Sequence, residues 1–394
     1  MSLFSPEKES QCMLLFDIGS GSVGGAILLA SATHTPTLLY SFRSEIILRS
    51  RATGRHLLSH MLRSLSEVVL AVTKEGFGVA GFGVHPPQIR EVFVSLSAPW
   101  VMSKTTFLSL KNKKSEVLTP AVFTTLLEHS REEADPLELG KKDGIEIERK
   151  LIKTILNGYE TSVPYGKEAA EVDFAVFRSF SVARITEQIM DTISRHIHAK
   201  HSSFHSFSMV AFAVLRELYP SEESFLIVDI SGEQTEISVV KNGVLVEIVT
   251  FPSAKIHILR LLEGDASVPF SGTTTLLKLH SESGSTGPMA EKFSRIIEKG
   301  KKEWREKFSE ALSKFSAEVF LPRRVFLTAD DDVSPLFAEA IRQGSFPHFS
   351  MSSTSFDVTE LRSDQMASLV RWSPSQTPDV FISLIATVAN RLRR

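Results

Sequence analysis

The stretch that most restricts what this chain can fold into runs from Met13 to Ala30, MLLFDIGSGSVGGAILLA. A short apolar run, Met13 to Phe16, leads into Asp17. Then come the small, turn-forming residues Ile18-Gly19-Ser20-Gly21-Ser22 and a second apolar run from Val23 to Ala30. The pattern predicts strand, tight turn, strand. Small residues at the turn let backbone N–H groups approach an anion closely. An acid at the strand end can hold a magnesium ion through water. One such hairpin is weak evidence, because its plainest reading is a turn and nothing more. A second copy strengthens it. Phe225 to Val240, FLIVDISGEQTEISVV, repeats the plan: apolar strand, Asp229, Ile230, a small polar turn and an alternating second strand. Two such hairpins imply two similar domains facing one cleft.

The 394 residues suffice for two or more domains with a proper core. Hydrophobic residues make up 42% and charged ones 23%, ordinary for a soluble globular protein. A net charge of −2 gives no global pull towards nucleic acid or an anionic membrane. The single cysteine, Cys12, excludes an intrachain disulfide and any multi-cysteine metal site, which fits a reducing cytoplasm. It is expected to be buried. The opening MSLFSPEKESQ lacks the basic-then-apolar order of a signal peptide. No apolar run approaches the ~18 residues of a spanning helix.

Along the chain, Thr37 to Ile47 reads as a strand. Arg55 to Val72 reads as a helix with one apolar stripe. Arg43, Arg49, Arg51, Arg55 and Arg63 read as a solvated helix face, with an anionic contact face as the alternative. From Arg90 the pattern turns strand-rich: Glu91–Leu96, Thr105–Leu110, Ile152–Leu156 and Val172–Phe180. One helix is opened by Thr119-Pro120, and a charged, loop-like stretch covers Glu132 to Glu148. Val182–Ile197 and Phe207–Leu218 read as helices. Between them, His196, His198, His201 and His205 invite a metal reading, but no Asp, Glu or Cys completes a set, so solvated or capping histidines are expected. After the second hairpin come a strand at Val244–Phe251, entered through an Asn242-Gly243 turn, and a helix at Ser253–Leu262. A Ser/Thr/Gly-rich stretch follows at Gly264–Gly287, then a long helix at Pro288–Phe315 and a strand at Arg324–Thr328. The acidic turn Ala329-Asp330-Asp331-Asp332 leads into another helix, Ser345–Ser355 is loop, and a helix at Pro378–Leu392 closes the chain.

The two hairpins resemble the paired phosphate motifs of the actin-like ATPase superfamily. Asp17–Val23, DIGSGSV, is similar to the first phosphate loop of the FtsA and PilM types, bacterial actin homologues of cell division and type IV pilus assembly. The resemblance implies an α/β, two-lobed actin-like (ribonuclease H-like) fold with a small α+β, SHS2-like insert. Residues 1–87 and 182–224 would form lobe 1, and 88–181 the insert. Residues 225–254 and 321–394 would form lobe 2, with 255–320 as its outer subdomain. It also implies ATP and Mg²⁺ as ligands. Asp17 and, through water, Asp229 would hold the metal. Gly19, Ser20, Gly21 and Ser22 would wrap the phosphates, with Ser231, Gly232 and Gln234 opposite. Ala329 and Asp330 stand at the adenosine turn, and Lys278 at the ribose contact.

Several positions depart from the family pattern. Glu233 stands where a glycine would let a phosphate approach. A carboxylate within ~4 Å of a phosphate costs about 4 kcal/mol at an effective dielectric near 20. Such a side chain must turn away, bind through a metal or forbid the ligand. Ala329-Asp330 replaces a pair of glycines, and the acid that precedes the ribose-contact lysine in the family is lost before Lys278. The structural alternative is that the hairpins are kept because the fold needs them. The acids at 330–332 read as an acidic loop, with a calcium or magnesium site as the alternative. The chain stops at Arg394 with its closing helix, where FtsA usually adds a linker and a membrane helix. The expectation is a cytoplasmic scaffold without robust enzymatic activity. A membrane-linked protein or a pilus or cytoskeletal component would be its partner, and the insert would serve partner contacts or self-association. No nucleic acid and no direct membrane insertion are expected. The alternatives are an active ATPase switch and a sugar-kinase-like or chaperone-like phosphotransfer enzyme.

Overall fold

A computed structural model describes residues 11–46, 54–82, 87–133, 143–266, 268, 272–275, 277, 287–315, 321–344, 346 and 355–393. The strands and helices of the first half are β1 (Gln11–Ile18), β2 (Ser22–Ala30), β3 (Thr37–Glu45), α1 (Gly54–Ala71), β4 (Ile89–Leu96), β5 (Met102–Val117), α2 (Pro120–Glu133), β6 (Gly144–Leu156), β7 (Tyr159–Glu160), β8 (Glu168–Val182), α3 (Ala183–Ser194), β9 (Ala199–Ser206) and α4 (Phe207–Leu218). The second half has β10 (Phe225–Ile230), β11 (Thr235–Lys241), β12 (Val244–Phe251), α5 (Lys255–Ala266), α6 (Pro288–Leu312), β13 (Arg324–Ala329), α7 (Ser334–Gln343), β14 (Asp357–Glu360), β15 (Arg371–Trp372) and α8 (Val380–Leu392).

The two halves repeat one sheet. The first sheet runs β15-β3-β2-β1-β4-β9 and the second β12-β11-β10-β13-β14. In each, an antiparallel hairpin is followed by a strand that returns parallel to the hairpin's first strand, as β1 with β4 and β10 with β13. The parallel return puts the ends of β1 and β4 at one edge, and the ends of β10 and β13 at the matching edge of the other half. Both hairpin turns therefore face the same seam. The β11–β12 turn is the tight one its sequence demands: Asn242 and Gly243 have φ of 50° and 73°, both positive as a type I′ turn requires.

Three cores hold the two halves. The buried stripe of α1 (Leu57, Met61, Leu65, Val68) packs with Ile189 and Ile193 of α3 on one face of the first sheet. Trp304 and Phe308 of α6, with Phe337 of α7, cover the second sheet. Between the sheets lie α4 and α8, whose side chains join Met13, Leu15 and Phe93 to Phe225, Ile227 and Phe326 in one shared core. Both helices are capped at their first turn. Ser206 Oγ accepts the N–H of Met209, and Asp379 Oδ1 accepts that of Ile382 at 3.0 Å.

A third sheet, β5-β8-β6-β7, has its own strand ladder and packs against the other two, with α2 on one face. It is smaller than the insert expected at 88–181, because β4 pairs with β1 and belongs to the first lobe's sheet. The charged stretch expected to be loop as far as Glu148 is already strand from Gly144. β9 corrects a further expectation. The histidine-rich segment after α3 is a strand parallel to β4, and His205 points inward. Its Nδ1 lies 2.7 Å from Glu148 Oε1 and its ring stacks on Phe93, while Glu148 Oε2 accepts the Ser206 N–H. That carboxylate ties the insert's β6 to the β9–α4 corner. Arg43 is corrected too. It lies on β3, with its side chain inside the seam rather than on a solvated helix face. Lys278, Arg49, Arg51 and most of the loop at 345–355 lie outside the described residues.

Candidate functional site: the seam between the two hairpins

The seam is built from two turns of the same make. Gly19 N–H bonds the Ser22 carbonyl at 3.1 Å, and Ser231 N–H bonds the Gln234 carbonyl at 3.1 Å. Of the residues expected to touch nucleotide, Asp17, Gly19, Gly21 and Ser22 are brought against Ser231, Gly232 and Asp330 around one small space, and Ser20 meets Ser231 directly. Gln234 closes the second turn, and Ala329 ends β13 beside it.

The turns touch each other. Ser20 Oγ lies 2.7 Å from Ser231 Oγ and accepts the Glu233 N–H at 2.9 Å. Gly21 and Gly232 meet backbone to backbone, so a Cβ on Gly232 would stand 2.3 Å from the Gly21 Cα. The glycines thus serve close approach, as the sequence implies, but to the opposite hairpin. The space left among Asp17, Gly21, Ser22, Arg43 and Gly232 is about 20 Å³. That holds about one water, whereas small-molecule sites run to roughly 300–1,000 Å³.

Three of the acids that the sequence sets against a phosphate, Glu233, Asp330 and Asp332, lie beside a cation of the same chain. Glu233 turns away from the seam and forms a two-pronged pair with Arg260 of α5, one prong at 2.9 Å. Lys255, at the start of α5, sits 2.8 Å from Asp330 and 3.0 Å from Asp332. Burial works against the Asp330 carboxylate, yet Lys255 holds its pKa below the usual value. One lysine thus faces two of the three acids of the turn, and burial still raises the Asp332 carboxyl.

Arg43 stands against Asp17, the carboxylate expected to hold a metal. Its Nη1 lies 2.9 Å from Asp17 Oδ2 and donates to Ser22 Oγ at 2.9 Å. Its Nε and Nη2 grip Asp379, the cap of α8, at 2.7 and 3.1 Å. The guanidinium also lies over the Phe381 ring, 5.2 Å from the centroid. Gly24 makes room for it: a Cβ there would stand 2.8 Å from Nη2. Burial raises the Asp17 carboxyl and Arg43 lowers it, with a net rise to about 6. Asp229 has no such cation. Burial raises its pKa well above the usual carboxylate value, and the Thr328 hydroxyl donates to it at 2.7 Å.

A wider pocket of about 450 Å³ opens on the far side of Arg43, walled by Phe42, Asp330, Asp331, Asp379 and Phe381. Its acids oppose a phosphate, and Arg43 partitions it from the hairpin turns. Taken together, the residues as arranged do not fit Mg²⁺ and ATP. The turns occlude the phosphate space, and a guanidinium stands on the carboxylate that a metal's water shell would need. Sequence reasoning found the turns and missed what fills them. The available signal was Gly24, a glycine inside a strand, which marks close approach by another group.

No protein-family model and no curated protein sequence matches the chain. Among solved structures, one titled "PilM-PilN type IV pilus biogenesis complex" is 10% identical, covers 96% of this chain and 98% of its own, and superposes with a TM-score of 0.62. Another, the ethanolamine utilization protein EutJ from Carboxydothermus hydrogenoformans, is 10% identical over 98% of this chain and 90% of its own, with a TM-score of 0.47. The fold is the two-lobed actin-like ATPase fold.

Proposed function

We propose that this chain is a cytoplasmic actin-like scaffold that acts through protein contacts and neither needs nor hydrolyses a nucleotide. The observation that carries the reading is the contact between the two hairpin turns, sealed by Arg43, Lys255 and Arg260. Phosphoryl transfer needs backbone donors, a metal and a positioned water around the phosphates. Here those donors and carboxylates are used by the chain itself. The neighbouring PilM structure is a complex with PilN in type IV pilus biogenesis. Carried to this chain, that supports assembly with a membrane-linked protein. The insert offers a surface for it: Tyr159 and Val163 are 79% and 65% exposed, and Phe107 and Val117 are exposed on the same small domain. Among the described residues no helix is long and apolar enough to cross a membrane.

A second reading is an ATP- and Mg²⁺-binding switch. It is favoured by the intact Asp17-Ile18-Gly19-Ser20-Gly21-Ser22 turn, and it requires the lobes to part and Arg43 to leave Asp17. Isothermal titration with ATP and Mg²⁺ separates the two. The scaffold reading expects no saturable heat at millimolar nucleotide. Micromolar binding that Asp17→Ala abolishes would establish the switch instead. For the partner, the chain should sediment with membrane vesicles that keep their proteins and not with protein-free lipid vesicles. Tyr159→Glu with Val163→Glu should weaken that association at least tenfold. Equal binding to bare lipid would overturn the partner-mediated reading.

A further inference from the structure

We infer that Arg43 is a built-in counter-cation: its guanidinium takes the place that a divalent cation would need at Asp17 and holds the two lobes in one closed, nucleotide-independent state. The inference rests on the scaffold reading and gives it a physical cause.

The socket is made for this group. Two carboxylates from separate elements, Asp17 at the end of β1 and Asp379 at the start of α8, converge on one guanidinium. Ser22 adds an acceptor, Phe381 a ring face, and Gly24 the missing side chain that lets the guanidinium lie against β2. Arginine suits such a site because its planar fork bonds two carboxylates at once, stacks on an aromatic face and stays charged. Burial opposes the charge on Arg43, but Asp379 and Asp17 more than offset it and raise its pKa. The cation is therefore permanent.

Its position explains why the seam stays shut. Asp17 and Asp379 would repel each other if they were left bare, and Asp330 of the second lobe adds a third charge close enough to act on both Asp17 and Arg43. In an actin-like protein that cycles, a soluble cation and a polyphosphate answer such a field, so the lobes respond to their concentration. A tethered cation has no concentration to respond to. With Arg43 in place, the turns close until Gly21 meets Gly232, each turn braced by its own lobe: Ile46 N–H donates to the Gly21 carbonyl at 2.8 Å and Ile256 N–H to that of Gly232 at 2.9 Å. The surface that such a scaffold shows its partner is then constant.

The test removes the tethered cation and offers a free one. Mn²⁺ binding is followed by its paramagnetic signal in the wild type, in Arg43→Ala and in Arg43→Ala combined with Asp17→Ala. Arg43→Ala should gain one saturable Mn²⁺ site at least tenfold tighter than anything in the wild type, and the double variant should lose it. Spin labels at Ser59→Cys in α1 and Glu306→Cys in α6 report the lobes. Labelling is selective because Cys12 is buried and its thiol is pushed up to about 12. One narrow distance, unchanged by Mg²⁺ and ATP, is expected with Arg43 present, and a broader or longer distribution with Arg43→Ala. Wild-type lobes that move with nucleotide would overturn the inference even if Arg43→Ala fails to fold, and would overturn the scaffold reading with it. A folded Arg43→Ala that gains no Mn²⁺ site, beside a wild type that ignores ATP, would overturn the counter-cation alone.

Discussion

Glu236 shows how the seam's chemistry reaches stability through one side chain. It lies on β11 directly across from Asp229, and both carboxyls are buried. Burial pushes the Glu236 carboxyl up to about 7. A carboxyl raised on folding binds its proton more tightly in the folded state, so folding gains nothing from ionising it. The stability tied to that proton is complete below the unfolded value near pH 4.5 and is lost as pH rises through about 7. The cost at pH 8 is about 3 kcal/mol from the shift alone. Glu236→Gln, uncharged and of the same shape, should therefore unfold at higher urea than the wild type at pH 8 and at nearly the same urea at pH 4.5. An advantage that does not change with pH would show that the gain comes from something other than the proton. Arg43 marks the limit of legibility at this scale. Its neighbours in sequence are other arginines and a helix stripe, and only the fold brings Asp17 and Asp379 to it from either end of the chain.

The hairpins were legible because each carries its own code: apolar run, acid, small turn, apolar run. α4 and α8 were legible as helices from their patterning, and the structure buries both along nearly their whole length. β9 was not. Its residues Lys200, His201, Ser202, Ser203 and His205 show no apolar alternation, and it is a strand because β4 offers it a parallel edge and Glu148 receives His205. Short β14 and β15 were invisible for want of length. What the hairpins do to each other was also hidden, because Gly21 and Gly232 suit a phosphate and a neighbouring backbone equally well. Gly232→Ala distinguishes these uses. The added Cβ, 2.3 Å from the Gly21 Cα, must push the turns apart, at a cost of about 1–3 kcal/mol. The melting temperature should fall by about 1–4 °C, and added ATP with Mg²⁺ should not restore it. A variant as stable as the wild type would mean that the turns are not in contact in solution.

At the scale of the molecule, the decisive feature is that the two lobes share a third core besides the one that each has of its own. α4 and α8 lie between the sheets, and one core runs from Met13, Leu15 and Phe93 through Phe207 and Leu384 to Phe225, Ile227 and Phe326. Phe207 meets Phe381 at 5.5 Å on the first lobe's side, and Phe225 meets Phe326 at 5.1 Å on the second's. Opening either sheet exposes side chains that the other sheet covers, so neither lobe can unfold at its own free energy. The insert differs. Its sheet packs on α2 through a small core of its own, around Leu108, Leu127, Phe174 and Val176, and it joins the rest through Phe177 in the shared core, Ile147 and Ile152 packed beside the lobes' cores, and the Glu148–His205 tie. Amide hydrogen exchange resolves these cases, because each segment reports the free energy of the opening that exposes it. The amides of β1 and β10 should exchange with the same opening free energy and the same dependence on denaturant, and those of β5, β6 and β8 away from the Glu148–His205 tie should exchange sooner. If β10 opened well before β1, the lobes would be independent bodies. The seam would then be a contact between two domains, and the closed cleft would follow from Arg43 and its carboxylates without help from the core beneath it.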